Sequence, residues 1–293
     1  MDRKKTTDIP NWRRRLADSP YRVLIYAILS LWTAITLFSF SWVVLTSLKT
    51  NRELFGIRTV WGLPDLLQWE NYARAWTRSQ MGNFLFNSVV VSATSVLLID
   101  LVGAMAAYVL ARFRFAGNRL ILGGFILGSA IPLQLITVPL YLMFNDLGLR
   151  DSLIGLTLVY VAISMPFTVF VLTGFFKSIP TALEEAAVLD GASDYGVFWR
   201  VMLPLATPGL ITVTIFNFLG VWNEYLLALM LISESDKMTI PLGLYNLQVV
   251  QQYAADFTGL FAGFVIMLLP TIAAFIFLQE RITRGMTVGA LKG

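Results

Sequence analysis

Six mostly apolar stretches, at 22–48, 84–111, 120–144, 152–176, 208–232 and 259–279, limit what this chain can fold into. About 20 such residues carry a helix across a bilayer, where only helices and closed barrels satisfy their own backbone. The stretches therefore predict an all-α membrane protein with six transmembrane helices. Composition agrees: 57% of the 293 residues are hydrophobic and 14% charged, against about a quarter charged in soluble domains. The first stretch is too long for a signal-peptide core and has no small-residue cleavage site, so it reads as a retained span.

Lysine and arginine set the orientation. Before the first span lie Arg3, Lys4, Lys5, Arg13, Arg14, Arg15 and Arg22. The 2–3 loop adds Arg112, Arg114 and Arg119, the 4–5 loop Lys177 and Arg200, and the end of the chain Arg281, Arg284 and Lys292. Fifteen cations thus fall on one side and seven on the other, which places both termini in the cytoplasm. The basic pI of about 9.4 follows from this topology, and no nucleic-acid partner is implied. The domain reading is a basic N-terminus (1–21), a six-span unit (22–279) and a cytoplasmic tail (280–293). On the outer side, residues 49–83 carry Trp61, Trp69, Tyr72 and Trp76 and suit an amphipathic helix among the headgroups. Residues 145–151 read as a tight turn and 233–258 as a third loop.

The chain holds no cysteine and no histidine, which excludes disulfides, thiol chemistry, His/Cys zinc sites and His-based triads. No catalytic or metal-binding set is read. Asp100 and Glu224 fall inside spans, where a carboxylate costs about 2.5–3.5 kcal/mol on insertion scales and so marks a functional position by default. The bland reading is a structural pair with a polar neighbour. Asn87, Gln134, Asn217 and Asn223 are further polar candidates facing a bundle interior. Asp100 and Glu224 also suggest the alternative of an ion-coupled secondary transporter. Pro132, Pro139, Pro166 and Pro270 interrupt spans, and Gly123, Gly124 and Gly128 permit close helix approach.

Residues 178–208 are the most informative. Thr181 followed by Glu184, with Pro180 before them, fits a capping box, so a helix should begin here. Gly191 suits the left-handed position that ends it. Ser193 can cap a second helix, whose Val197, Phe198, Val201 and Met202 form an apolar stripe, before Pro204 and Pro208 stop it. The product is a helical hairpin below the membrane, either a docking knob for an external machine or a plain connector.

Glu185-Ala186-Ala187, Asp190-Gly191-Ala192, Phe198, Val201, Leu203-Pro204 and Pro208 resemble the EAA loop of permease subunits of bacterial ABC importers. Val201 stands where the family usually has Ile. Trp222-Asn223-Glu224-Tyr225 resembles the WN(D/E) segment of carbohydrate importers, and Gly285-Met286-Thr287-Val288-Gly289-Ala290-Leu291-Lys292-Gly293 resembles the tail of the maltose-type second permease. The resemblance implies a permease subunit of a binding-protein-dependent carbohydrate importer in a bacterial or archaeal plasma membrane. Since a sugar wants aromatic faces and uncharged hydrogen-bonding groups, Asn87, Gln134, Asn217, Trp222 and Asn223 would join Asp100 and Glu224 in the candidate substrate path. Partners would be a second permease, two ATPase subunits and an extracytoplasmic solute-binding protein. Glu184, Glu185, Ala186, Ala187, Asp190, Gly191, Phe198, Leu203 and Pro204 would couple to an ATPase, and Gly285, Thr287, Gly289 and Lys292 would reach the interface between the two ATPases. This chain lacks a phosphate-binding G-x-x-x-x-G-K-[ST] loop. No cofactor is expected in it, ATP and Mg being held by the ATPases.

Overall fold

The computed structural model describes residues 20–57, 59–78, 80–254 and 256–290, with side chains of the last helix described as far as Ile276. The described elements are helical: α1 (Pro20–Ser47), α2 (Asn51–Phe55), α3 (Glu70–Arg78), α4 (Met81–Arg112), α5 (Asn118–Ser129), α6 (Leu133–Asp146), α7 (Leu153–Ser178) and α8 (Thr181–Leu189). They continue with α9 (Asp194–Leu205), α10 (Thr207–Trp222), α11 (Leu226–Leu231), α12 (Ile240–Ala254) and α13 (Phe257–Ala290).

Among the described residues, Arg22–Ser47, Met81–Arg112 and Leu153–Ser178 are single helices long and apolar enough to cross a membrane. The third expected span is not one rod. It breaks into α5 and α6, bent by 104°, because Pro132 lacks an N–H and pushes Ile131 away from helical angles. Pro132 instead caps α6, whereas Pro139, Pro166 and Pro270 lie inside continuous helices. The stretch 233–258 is also not a loop: α12 fills most of it, and Ile240, Leu242 and Leu244 are buried. Pro241 sits in its first turn, where a missing N–H costs nothing.

Helices α4 and α7 lie side by side in the same direction and form the axis of the bundle, with α10 antiparallel against both. Two apolar clusters lie along this axis. One surrounds the start of α4, with Met81, Phe84, Val91, Leu156, Tyr160, Trp222, Leu231 and Ile240; we call this the Met81 end. The other surrounds the end of α4, with Ala107, Tyr108, Leu172, Phe176, Phe198, Met202 and Val213; this is the Arg112 end. Small residues bring the helices together, as packing inside lipid requires. A Cβ on Gly103 would lie 2.6 Å from Thr168 Cγ2. Gly128 packs on Pro166, but Gly123 and Gly124 have nothing within 4 Å to approach, so they do not act as the close-contact positions expected. Helix α1 packs chiefly on α13, and its most apolar window is wholly unburied within the chain.

At the Met81 end, the segment after α1 is a small folded unit rather than one long amphipathic helix. Thr50 and Glu53 form a capping box at α2, and the fully buried Lys49 ammonium donates to Thr59 O (2.8 Å) and Val60 O (2.9 Å). Backbone N–H groups of Asp65 and Thr50 hold the Glu53 carboxyl below the usual glutamate range. Trp61 stacks on Phe38 and lies against Trp42, leaving most of its face open. The amphipathic stretch shrinks to α3, which is fastened to the head of α13 where Arg74 meets Asp256 at 3.2 Å.

Candidate functional site

Between the two apolar clusters lies a polar layer. Thr214 Oγ1 on α10 donates to Asp100 Oδ2 on α4 at 2.5 Å, and Asn217 Nδ2 donates to Thr168 Oγ1 on α7 at 2.9 Å. Buried polar groups bonded in this way fix one register among three helices. Asp100 and Asn217, expected as path residues, are brought together here with two threonines that sequence reasoning did not single out.

Nearer the Met81 end, α10 stops at Trp222 and the chain runs irregularly through Asn223, Glu224 and Tyr225 before α11 begins. The Glu224 carboxylate organises this break. It accepts from the backbone N–H groups of Leu227 (2.8 Å) and Ala228 (3.2 Å) and from the Tyr160 hydroxyl (2.8 Å). A carboxylate at a helix start answers both the orphan donors and the dipole there. Glu224 is therefore a cap, and its polar partners differ from those of Asp100.

Beside the break opens a cleft of about 250 Å³, lined by Asn223, Tyr225, Pro241, Leu244, Tyr245, Gln248, Phe264 and Met267. It carries amide and phenol groups on aromatic and aliphatic walls and no charged side chain. The Tyr225 and Tyr245 rings lie 5.8 Å apart at 38°. Of the seven path candidates only Asn223 lines it. Asn87 instead anchors the segment before α12, giving its amide hydrogens to Asp236 O and Met238 O. Trp222 is buried and stacked on Phe218. Gln134 is exposed on α6. Tyr245 and Gln248 are not among the path candidates because 233–258 reads as a loop until α12 is seen to fold back on the bundle, and Tyr225 adjoins the expected Trp222–Glu224 segment without being one of them.

At the Arg112 end stands the hairpin. Gly191 ends α8 with φ +84°, and Ser193 accepts from the Gly196 N–H at the start of α9, as expected of both. Val197, Phe198 and Met202 are buried against α4 and α7. The turn Phe198–Met202 widens to a π-helix, and α9 runs through Pro204 to Leu205 before the 73° bend into α10. Pro204 does not stop α9 as expected: the helix runs one residue past it, the bend falls at Ala206, and Pro208 enters the first turn of α10.

The expected Thr181–Glu184 capping box is absent. Thr181 is already helical, Pro180 occupies the cap, and the Glu184 carboxylate turns to Arg112 at 3.2 Å. Side-chain exposures of 10% and 18% make this a largely buried ion pair. Arg112 also donates to Ile179 O at 2.6 Å, so one arginine at the base of α4 grips both sides of the hairpin's entry. Meanwhile α8 itself stands free, with Glu185, Ala186 and Asp190 exposed and Leu189 88% exposed. Ala187 and Leu203 are partly buried behind it. Gly285, Thr287 and Gly289 fall on the final turns of α13, whose side chains lie outside the described residues, as do Lys292 and the basic cluster before residue 20.

A family model described as "binding-protein-dependent transport system inner membrane component" matches residues 101–288. A diacetylchitobiose uptake system permease of Streptomyces coelicolor is 39% identical over 94% of this chain and 91% of its own length. A trehalose transport system permease of Mycobacterium tuberculosis is 32% identical over 86% of this chain and 91% of its own. Among solved structures, a chain of a bacterial ABC transporter that imports the acidic polysaccharide alginate superposes with a TM-score of 0.78, at 22% identity, over 90% of this chain and 97% of that one. That likeness is one of fold. The apolar helical bundle, the hairpin and the relatives agree: this chain belongs to the family of inner-membrane permease components of binding-protein-dependent ABC transport systems.

Proposed function

We propose that this chain forms one half of the path of a carbohydrate importer, with both termini and the Arg112 end in the cytoplasm and six crossings between residues 22 and 279. The bent pairs α5–α6 and α9–α10 then each follow or contain one crossing, and residues 280–293 reach the ATPases. A second permease supplies the other half, two ATPases bind ATP and Mg and drive the cycle, and a solute-binding protein delivers the sugar from outside. The cation bias of fifteen to seven supports the orientation.

The exposed hairpin carries the reading. Helix α8 offers Glu185, Ala186 and Asp190 to a cleft in an ATPase, while Ala187 packs on the bundle and α9 is sunk in it. A push on α8 passes to α4 through Arg112 and to α10 through the packed bend at Ala206. At the other end, the uncharged cleft of Asn223, Tyr225, Tyr245 and Gln248 has the chemistry that holds a sugar. Its 250 Å³ falls short of the roughly 300–1,000 Å³ of complete ligand sites, as expected of a half-site that a second subunit closes. The relatives named for diacetylchitobiose and for trehalose favour a disaccharide.

The test uses the native absence of cysteine. A single Leu189→Cys, reconstituted with its partner permease, ATPase and binding protein, is expected to crosslink to the ATPase. Vesicles are expected to take up disaccharide only when ATP and every subunit are present. Uptake by this chain alone, or no ATPase adduct from any exposed position of α8, would overturn the proposal.

A further inference from the structure

At the Arg112 end a cavity of about 660 Å³ opens between the end of α4, the 113–117 turn, the start of α5 and the end of α7. Arg114, Arg119 and Lys177 line it. Among the described residues none of the three forms an ion pair, although Arg74, Arg112 and Lys237 all do. The turn is built to hold this shape: Asn118 Nδ2 folds back onto Leu110 O and Phe113 O, and Gly117 caps α5 at φ +93°. Having no side chain, Gly117 leaves the first N–H groups of the twelve-residue α5 without a side-chain acceptor, so the dipole of that helix adds positive potential.

The rest of the lining is mostly apolar. Leu110, Leu120 and Leu122 line the cavity with Phe113 and Phe115, and Leu120 is 81% exposed. Two helices that cross the bilayer, α4 and α7, end beside this cavity, so it lies at the level of the lipid headgroups. Three cations without an ion pair, interleaved with apolar side chains at that depth, call for a ligand with an anionic head and hydrocarbon tails.

We infer that this cavity binds the phosphate head of an anionic membrane phospholipid, its acyl chains lying along Leu120 and Phe115. The inference rests on the orientation proposed above. A free phosphate satisfies the cations equally well but leaves the apolar side chains in water, and that difference selects the lipid. Because Leu110 and Ala111 border the cavity and Arg112 follows them, a bound head sits one turn from the pin that holds the hairpin.

Native mass spectrometry of the delipidated complex, titrated with phosphatidylglycerol, phosphatidylethanolamine and inorganic phosphate, tests this. Phosphatidylglycerol is expected to stay bound at voltages that strip phosphatidylethanolamine, and millimolar phosphate is expected not to displace it. At about 1 kcal/mol per cation at low salt, the R114Q/R119Q/K177Q variant should bind phosphatidylglycerol about a hundredfold more weakly. If the triple variant does not assemble, Lys177→Gln alone should weaken binding about fivefold. Equal retention of both lipids, equal retention in wild type and variants, or displacement by phosphate alone would overturn the inference. Labelling of Ala116→Cys in sealed vesicles of known sidedness reports the orientation separately. Labelling from the cytoplasm with no lipid preference removes the lipid site only, and labelling from outside removes the orientation.

Discussion

The two ends of the bundle both interrupt a helix next to α10, and they do so with opposite chemistry. At the Met81 end, the interruption after Trp222 is polar: a carboxylate caps the next helix, a phenol donates to that carboxylate, and amides and tyrosines face an open cleft. At the Arg112 end, the interruption at Ala206 is dry. Ala206, Met202 and Val213 are all fully buried, and the 73° bend falls between Pro204 and Pro208. Irregular backbone inside a membrane protein is tolerated where it is packed in protein or lines a cavity, and these two breaks take one option each. Under the proposed function, the polar break is where a solute is exchanged for water, and the dry break, packed without slack, is the elbow that carries displacement.

Glu224→Ala strikes the polar break hardest. It strands two backbone donors and a buried hydroxyl, each costing about 1–3 kcal/mol when unmatched, so a loss of about 3 kcal/mol is expected in thermal unfolding of the complex. Glu224→Gln keeps an acceptor for the helix start and should recover most of that loss. If Gln and Ala are equally damaging, the negative charge itself matters and the cap reading fails.

Arg112→Gln acts on the dry end. It leaves Glu184 largely buried without its partner and frees Ile179 O, for an expected cost of about 2 kcal/mol. Uptake should fall about tenfold while ATP hydrolysis continues. Arg112→Lys should be intermediate, since a point charge cannot serve both sides of the hairpin as the guanidinium does. Loss of uptake and hydrolysis in equal proportion would mean that the pin holds the fold and transmits nothing.

Gly191→Val forces a branched side chain into left-handed backbone, a strain of about 1–2 kcal/mol, with open space around the new atoms. Only the turn is strained, so assembly should survive while coupling falls. Gly191→Asn, which visits that conformation more readily, should couple nearly normally. Equal coupling in the Val and Asn variants would remove the turn angle from the mechanism.

How much of this was legible in the sequence follows from the range of the interactions. Apolar length announces the helices, and the Gly191 turn and Ser193 cap are local backbone chemistry within a few residues. The Gly191 turn and the Ser193 cap appear in the structure as read, whereas among the described residues three of the six stretches are single helices long and apolar enough to cross a membrane. The break of the third span at Pro132 was carried by one residue whose twin prolines at 139 and 166 are tolerated inside helices, so spacing alone does not distinguish them. Glu184 was read as a local cap because its competitor, Arg112, lies far away in sequence and is brought in by packing of α4 on α7. The cleft was hardest to foresee. Its walls come from three segments, and the α12 wall depends on a fold-back that no local pattern encodes.

The smallest effect contrasts the pins that fasten each end. Arg112–Glu184 is largely buried, whereas the side chains of Arg74 and Asp256 are 25% and 30% exposed. Burial alone pushes the Asp256 carboxyl up, but hydrogen bonds from Arg74 and from the Gly259 N–H outweigh it and hold the group below the usual aspartate range. A folded-state value below the unfolded one adds stability that is complete above the unfolded value and disappears as pH falls through the folded one. Comparison of wild type with Asp256→Asn should therefore show a constant wild-type advantage above about pH 4, under about 1 kcal/mol for so exposed a pair. The advantage should vanish in stronger acid and shrink in 1 M salt at neutral pH. A wild-type advantage that persists in acid would show that Asp256 serves there as a neutral hydrogen-bonding group, and the two pins would differ in kind rather than in burial.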